Sequence, residues 1–118
     1  MFGVSRRVGQ HYESIAESLL VGLGYQLIER NYTCRGGEID LICTDGEVLV
    51  FVEVRGRGSV ERGYPEETVG WAKQQRIIRA AFAYLIRKRL GEPPCRFDVV
   101  GIDSSGARLY RDAFRVQS

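Results

Sequence analysis

Hydrophobic positions change their period several times along the chain. Ile15, Leu19, Leu20 and Leu23 recur at helical spacing with Ala16 beside them, and Gly24 follows as a stop. That spacing predicts a helix over 8–23. Tyr25 to Tyr32 reads as a strand, and Thr33 to Gly37 as a turn in which Arg35-Gly36-Gly37 lends backbone freedom. Strands are expected at 38–43 and 47–55, joined through Asp45-Gly46, a strong two-residue hairpin signal. Gly56 to Tyr64 is a Gly/Arg loop without a core pattern, suited either to clamping a substrate or to plain connection. Pro65-Glu66-Glu67 opens a second helix, since proline suits a first turn and acids suit the positive end of the dipole. Its buried stripe is Val69, Ala72, Ile77, Ala81 and Leu85, with Trp71, Phe82 and Tyr84 read as packing residues. It runs to Leu90, where Gly91 and Pro93-Pro94 stop it. Arg96 to Ile102 and residues 107–111 read as two last strands around the turn Ser104-Ser105-Gly106.

The order is helix, three strands, helix, two strands. This is an α/β chain with a mixed β-sheet of about five strands flanked by helices. The 47–55 strand, the second helix and the 96–102 strand form a crossover, which predicts parallel neighbours with a right-handed connection. The 118 residues suffice for a single domain spanning 1–118, and no repeat or internal boundary interrupts them.

Two of these strands carry acids where core strands normally carry none: Gly37-Glu38-Ile39-Asp40-Leu41-Ile42 and Val50-Phe51-Val52-Glu53-Val54-Arg55. A lone buried carboxylate costs several kcal/mol, so such acids need a partner, and a divalent cation is the natural one for a cluster. With Asp45-Gly46 as the loop, opposed residues have numbers summing to ~91, so that Glu38 faces Glu53 and Asp40 faces Phe51. Glu38, Asp40, Phe51, Glu53 and Arg55 then share one sheet face, with Asp40 and Glu53 diagonal neighbours roughly 7–8 Å apart at the backbone. The alternative is a solvated acidic face on an ordinary hairpin.

Charge and cysteine usage narrow the partners. The net charge of +2 is uninformative, but Thr68 to Leu90 holds Lys73, Arg76, Arg79, Arg87, Lys88 and Arg89 and no acid. Arginine, which dominates the basic residues, matches phosphate in a bidentate manner. Beside a carboxylate cluster this points to nucleic acid, against the plainer reading of a solvated helix face. Cys34, Cys43 and Cys95 show no CxxC spacing and read as free thiols in a reducing cytoplasm. His11 is the one histidine, which argues against a zinc site. There is no apolar run long enough for a membrane span, and Met1 to Arg7 lacks a signal-peptide core.

These residues together resemble the YraN family of small bacterial proteins, within the restriction-endonuclease-like PD-(D/E)XK fold. The resemblance covers nearly the whole chain. It rests on Glu13, Gly24-Tyr25, Arg30-Asn31, the segments 37–42 and 51–55, Lys73 with Arg76, and Arg96-Phe97-Asp98-Val99-Val100. It implies a restriction-endonuclease-like mixed sheet and a metal-dependent DNA endonuclease similar to Holliday-junction resolvases, selective for branched DNA. It implies Asp40 and Glu53 as ligands of Mg²⁺ or Mn²⁺, the Val54 carbonyl as a third oxygen, Glu13 as an acid reaching in from the first helix, and Glu38 further out. Tyr12 stands where a glycine is expected before the helix acid, and Asp98 is left with a structural role. Arg55 occupies the place of the nuclease lysine. An arginine stays protonated and cannot be a general base, but it can hold a phosphate or developing negative charge, while Lys73 supplies the ammonium. Arg35, Arg57, Arg62, Lys73, Arg76 and Arg79 are the candidates for nucleic-acid contact. A two-fold junction substrate suits a homodimer. The competing readings are a nucleic-acid-binding protein without chemistry and a protein-interaction adaptor on an inactivated nuclease fold.

Overall fold

A computed structural model describes residues 2–56 and 69–116. The elements in chain order are α1 (Phe2–Gly22), β1 (Gln26–Cys34), β2 (Gly37–Asp45), β3 (Val48–Arg55), α2 (Trp71–Arg87), β4 (Cys95–Asp103) and β5 (Gly106–Phe114). The strands form one open mixed sheet in the order β1-β2-β3-β4-β5. β3 and β4 are parallel, with α2 between them in the chain, and the other neighbours are antiparallel. None of the described helices is long and apolar enough to cross a membrane.

Each helix covers one sheet face, which is why the central strands read as nearly continuous apolar runs. Ala16 and Leu20 of α1 pack with Tyr25, Leu41, Cys43, Val50, Val52, Val100 and Ile102. Ile77, Ile78, Ala81 and Tyr84 of α2 pack with Tyr32, Ile39, Ile42, Phe51, Phe97 and Val99 on the other side. Val48, Val50, Val52 and Val54 of β3 therefore line the α1 face.

Helix ends differ from the pattern. α1 already begins at Phe2, because the apolar stripe that signals the helix starts late while no proline breaks the residues before it. α2 begins at Trp71 instead of Pro65: Gly70 is extended (φ −67, ψ 164) and serves as the N-cap, and Val69 is buried outside the helix. Residues 65–68 lie outside the described part. α2 ends at Arg87 and not at Leu90, because Arg89 and Gly91 adopt positive φ (55 and 69) and turn the chain. Within α2, Ala72, Trp71 and Phe82 face solvent against expectation, Tyr84 packs as expected, and Ile78 and Ala80 complete the buried side.

The β2–β3 hairpin corrects the register. Asp45 pairs with Val48 and Leu41 with Val52, so paired numbers sum to 93. The loop is Gly46-Glu47, with Gly46 at φ 61, a first loop position that favours glycine. The shift is even, so the faces read for β3 survive, but Asp40 moves from opposite Phe51 to opposite Glu53 when the pairing is extended past its last rung. Glu38 does not face Glu53: it pairs with Thr33 of β1 and is exposed. Gly37 also has a different role from the one expected. Its φ is not in the left-handed region, but a Cβ there would lie 2.4 Å from the Arg76 carbonyl oxygen. Glycine is needed for the close approach of β2 to α2, not for a turn.

Candidate functional site

The β2–β3 ladder stops at Leu41–Val52, and the acids lie just beyond it. Regular alternation fails here too: Ile39 and Leu41, two residues apart, join opposite core clusters. At this irregularity Asp40 reaches over to β3 and accepts a hydrogen bond from the Val54 backbone N–H at 2.8 Å. Glu53, flanked by Val52 and Val54 on the α1 face, projects to the α2 side and is only 5 % exposed. Its Oε2 lies 3.4 Å from an Arg55 guanidinium nitrogen and 3.6 Å from Lys73 Nζ on the first turns of α2. Glu13 of α1 is buried as well, and Asn31 Nδ2 donates to its Oε1 at 3.0 Å.

The electrostatics follow from this crowding. Asp40 is pushed up from 3.8 to about 8, first by burial, then by the charge of Glu53, with Val54 N–H opposing, and with a hydrogen bond to Glu53 and the Glu13 charge adding to the rise. Glu13 is raised chiefly by burial, against the Asn31 hydrogen bond, with Glu38 and Glu53 contributing repulsion. Desolvation and the neighbouring Glu53 charge thus favour the protonated form of Asp40.

Residues 12–102 match the model of the uncharacterised protein family UPF0102. The chain belongs to the UPF0102 family. This is the family whose resemblance the sequence carries under the name YraN. A UPF0102 protein of Symbiobacterium thermophilum is 47 % identical over 116 residues, covering 94 % of this chain and 98 % of its own. One from Anaeromyxobacter sp. is 44 % identical, covering 95 % and 87 %. One from Clostridium tetani is 38 % identical, covering 98 % and 100 %.

In this UPF0102 chain the predicted site residues do not all meet at one place. Lys73, Arg55, Asp40, Glu53 and Glu13 come together as described. Val54 takes part through its N–H, which Asp40 engages. Glu38 stays at the exposed margin, near enough for its charge to be felt at Glu13. Arg35 sits in the exposed β1–β2 turn, where Gly36 packs beside the Arg79 side chain (3.5 Å from a Gly36 Cβ to Nε) and Gly37 meets the Arg76 backbone. Arg35, Arg76 and Arg79 therefore form one basic surface. Arg57 and Arg62 lie outside the described residues.

Among the described residues, no group of three or more His, Cys, Asp and Glu side chains is arranged to hold a metal ion. The donor set is a pair, and a pair fits Mg²⁺, which takes one or two protein carboxylates and keeps several waters. With Asp40 raised to about 8, a divalent cation bound there would displace a proton from it.

Asn31 and Tyr12, both named in the sequence, take positioning roles that the sequence did not assign to them. Asn31 adopts φ 52 inside β1, a conformation asparagine tolerates better than most residues, and this goes with its grip on Glu13. Its presence in an otherwise strand-forming run was the available signal. Tyr12 lies against Gly56 so closely that a Cβ there would be 2.6 Å from its ring. That contact gives a reason for Tyr12 in place of the expected glycine, and only the fold reveals it.

Proposed function

We propose that the protein is a metal-dependent DNA endonuclease that cleaves phosphodiester bonds, with selectivity for branched DNA, acting in the cytoplasm. The observation that carries the reading is the pairing of half-buried Asp40 with buried Glu53, flanked on the α2 side by Lys73 and Arg55. Asp40 and Glu53 would hold Mg²⁺ or Mn²⁺. Such a cation, once bound, supplies neutralising charge at the attacked phosphate and lowers the pKa of water. The Val54 N–H fixes one Asp40 oxygen, so the carboxylate is oriented before any ligand arrives. Lys73 and Arg55 hold positive charge beside Glu53, where a phosphate's developing negative charge needs it. Arg55 orients and neutralises but removes no proton. Arg35, Arg76 and Arg79 hold flanking phosphates. A two-fold junction suits two copies of the chain acting together.

The test is direct. Purified protein with Mn²⁺ nicks junction or flap DNA, and Asp40→Asn abolishes the nicking. Intact DNA across a broad panel of substrates, with both metals, overturns the reading.

One observation favours a second reading, a nucleic-acid-binding protein without chemistry. Lys73 and Arg55 already neutralise Glu53 from within the chain. That reading predicts salt-sensitive DNA binding and no Mn²⁺-dependent rise in melting temperature.

A further inference from the structure

The outward face of α2 carries an aromatic and apolar row that no described part of the fold covers. Trp71 is 69 % exposed, Phe82 50 % and Ile86 77 %. Trp71 and Phe82 stand three helical turns apart, about 16 Å along the axis, and at 3.6 residues per turn both point the same way. Three exposed side chains of that size along one helix face make it a candidate binding surface. The neighbouring stripe of the same face is basic, with Arg76, Arg79 and Arg87 exposed. From Val69 to Leu90 the chain contains no acidic residue.

We propose that this face of α2 is a platform for an unpaired nucleic-acid strand, with Trp71 stacking on a base; the proposal rests on the DNA reading of the acidic site. Trp71 is two residues before Lys73, so the two side chains leave the helix on nearly opposite sides. Lys73 turns in to Glu53, and Trp71 turns out to solvent. A strand passing over the start of α2 from the acids meets Trp71 after roughly one helix diameter, about 10 Å. Beyond it lie the Arg76 and Arg79 guanidinium groups for phosphates and the Phe82 ring for a further base. A basic track interleaved with aromatic rings is how single strands are held without sequence preference, because every base offers a π-face. In a fully paired duplex the bases are stacked on one another and offer Trp71 nothing. Trp71 therefore confers selection for substrates with unpaired nucleotides. An acidic amphipathic peptide would also match the charge, but the row adjoins a site with phosphate-binding groups, and this favours the nucleic acid.

Trp71 is the only tryptophan in the chain, so its emission reports on itself. The Asp40→Asn protein is titrated in EDTA with a labelled single-stranded oligonucleotide, a flap and a blunt duplex. Trp71 emission and label anisotropy are followed together. Emission quenched by the single strand and the flap, and little by the duplex, supports the platform. Trp71→Ala is expected to weaken single-strand binding roughly tenfold, and Trp71→Phe to restore most of it. As an exposed residue, Trp71 is replaceable without unfolding the chain. Anisotropy that rises while emission stays constant, or a Trp71→Ala protein that binds the single strand unchanged, overturns the platform and leaves the DNA reading standing. Quenching by an acidic amphipathic peptide but not by the oligonucleotide also overturns it, and makes the face a protein site. Absence of any DNA binding removes both readings. Quenching by the single strand together with wild-type protein inert under Mn²⁺ removes the nuclease and keeps the platform.

Discussion

Asp98 and the Asp40–Glu53 pair are carboxylates on neighbouring strands of one sheet, and they have opposite characters: Asp98 and Glu53 are buried, while Asp40 keeps partial exposure. Asp98, on β4 beside Val52, is completely buried. It accepts hydrogen bonds from Arg96 Nε at 2.9 Å and Arg96 at its second nitrogen at 3.2 Å, from the Tyr25 hydroxyl at 3.0 Å and from the Asp112 backbone N–H at 2.9 Å. Arg96 extends the network to Asp45, and Arg96 and Arg111 both lie 5.7 Å from the centre of the Tyr25 ring. Asp40 and Glu53 have one backbone donor at 2.8 Å, two cations at 3.4 and 3.6 Å, and each other. A buried acid whose oxygens are all engaged is a structural member, with no oxygen left to offer. Asp40 keeps partial exposure and, among the described residues, one backbone donor, so the pair retains the capacity to take a cation. Donors and access together separate the two kinds of acid.

The largest effect expected from this contrast is at Asp98. Asp98→Val strips Arg96 of its main partner, and breaking a buried ion pair from one side costs about 3 kcal/mol or more. Urea denaturation measures it. Replacing Arg96 by Met in the same chain should recover part of that loss, because the stranded charge goes too. A single Asp98→Val substitution costing less than about 1 kcal/mol would show that the network is not what holds this face together.

The architecture and the proximity of Asp40 to Glu53 were legible in the sequence, but this contrast was not. Strand alternation, the Asp45-Gly46 signal and the β3–α2–β4 crossover were legible because they depend on local pattern. The hairpin register was missed by two residues, since Asp45-Gly46 and Gly46-Glu47 both make acceptable loops and only φ 61 at Gly46 decides. Asp40 and Glu53 were legible as acids in core strands. Asp98 carried the same signal in Arg96-Phe97-Asp98-Val99-Val100, but its saturation was not legible. Its donors come from Tyr25, Arg96 and Asp112, scattered over the chain and brought together by a bulge between β4 and β5 near Phe97 and Val99. Likewise Trp71 looked like a core aromatic by type, and only the extended Gly70 and the placing of α2 turn it outward.

The next effect in size is a pH dependence with a defined sign. Asp40 has an ordinary value of 3.8 and a folded value near 8, so the native state holds more protons than the unfolded state between these limits. Stability therefore falls as pH rises through that window and levels off above it. Asp40→Asn keeps a side-chain oxygen for the Val54 N–H and removes the titration. In EDTA, the variant should be more stable than the wild type at pH 9 by on the order of 2 kcal/mol, with the difference vanishing near pH 4. Mn²⁺ should reverse the ranking at neutral pH, because only the wild type gains from binding it, by about 2.7 kcal/mol at a hundredfold excess over Kd. Parallel stability curves for the two proteins across pH 4–9 would place Asp40 among the saturated acids, with Asp98.

The smallest effect concerns Lys73, and it sharpens the comparison most finely. Its side chain is 39 % exposed and stands 3.6 Å from Glu53, so the ion pair contributes under about 1 kcal/mol to stability. Lys73→Met should barely move the urea midpoint. Its charge nevertheless favours ionised Asp40, and its removal favours the protonated form. Separation of the curves begins at the ordinary Asp40 value in any background, but the pH at which the stability difference between the proteins with and without Asp40→Asn stops growing should move upward when both carry Lys73→Met, and added salt should reduce that shift by screening the partly exposed amine. A levelling-off pH that stays in place would mean that Lys73 is an ordinary surface lysine. Arg55 would then be the one named cation left to balance Glu53, and it cannot give up its proton.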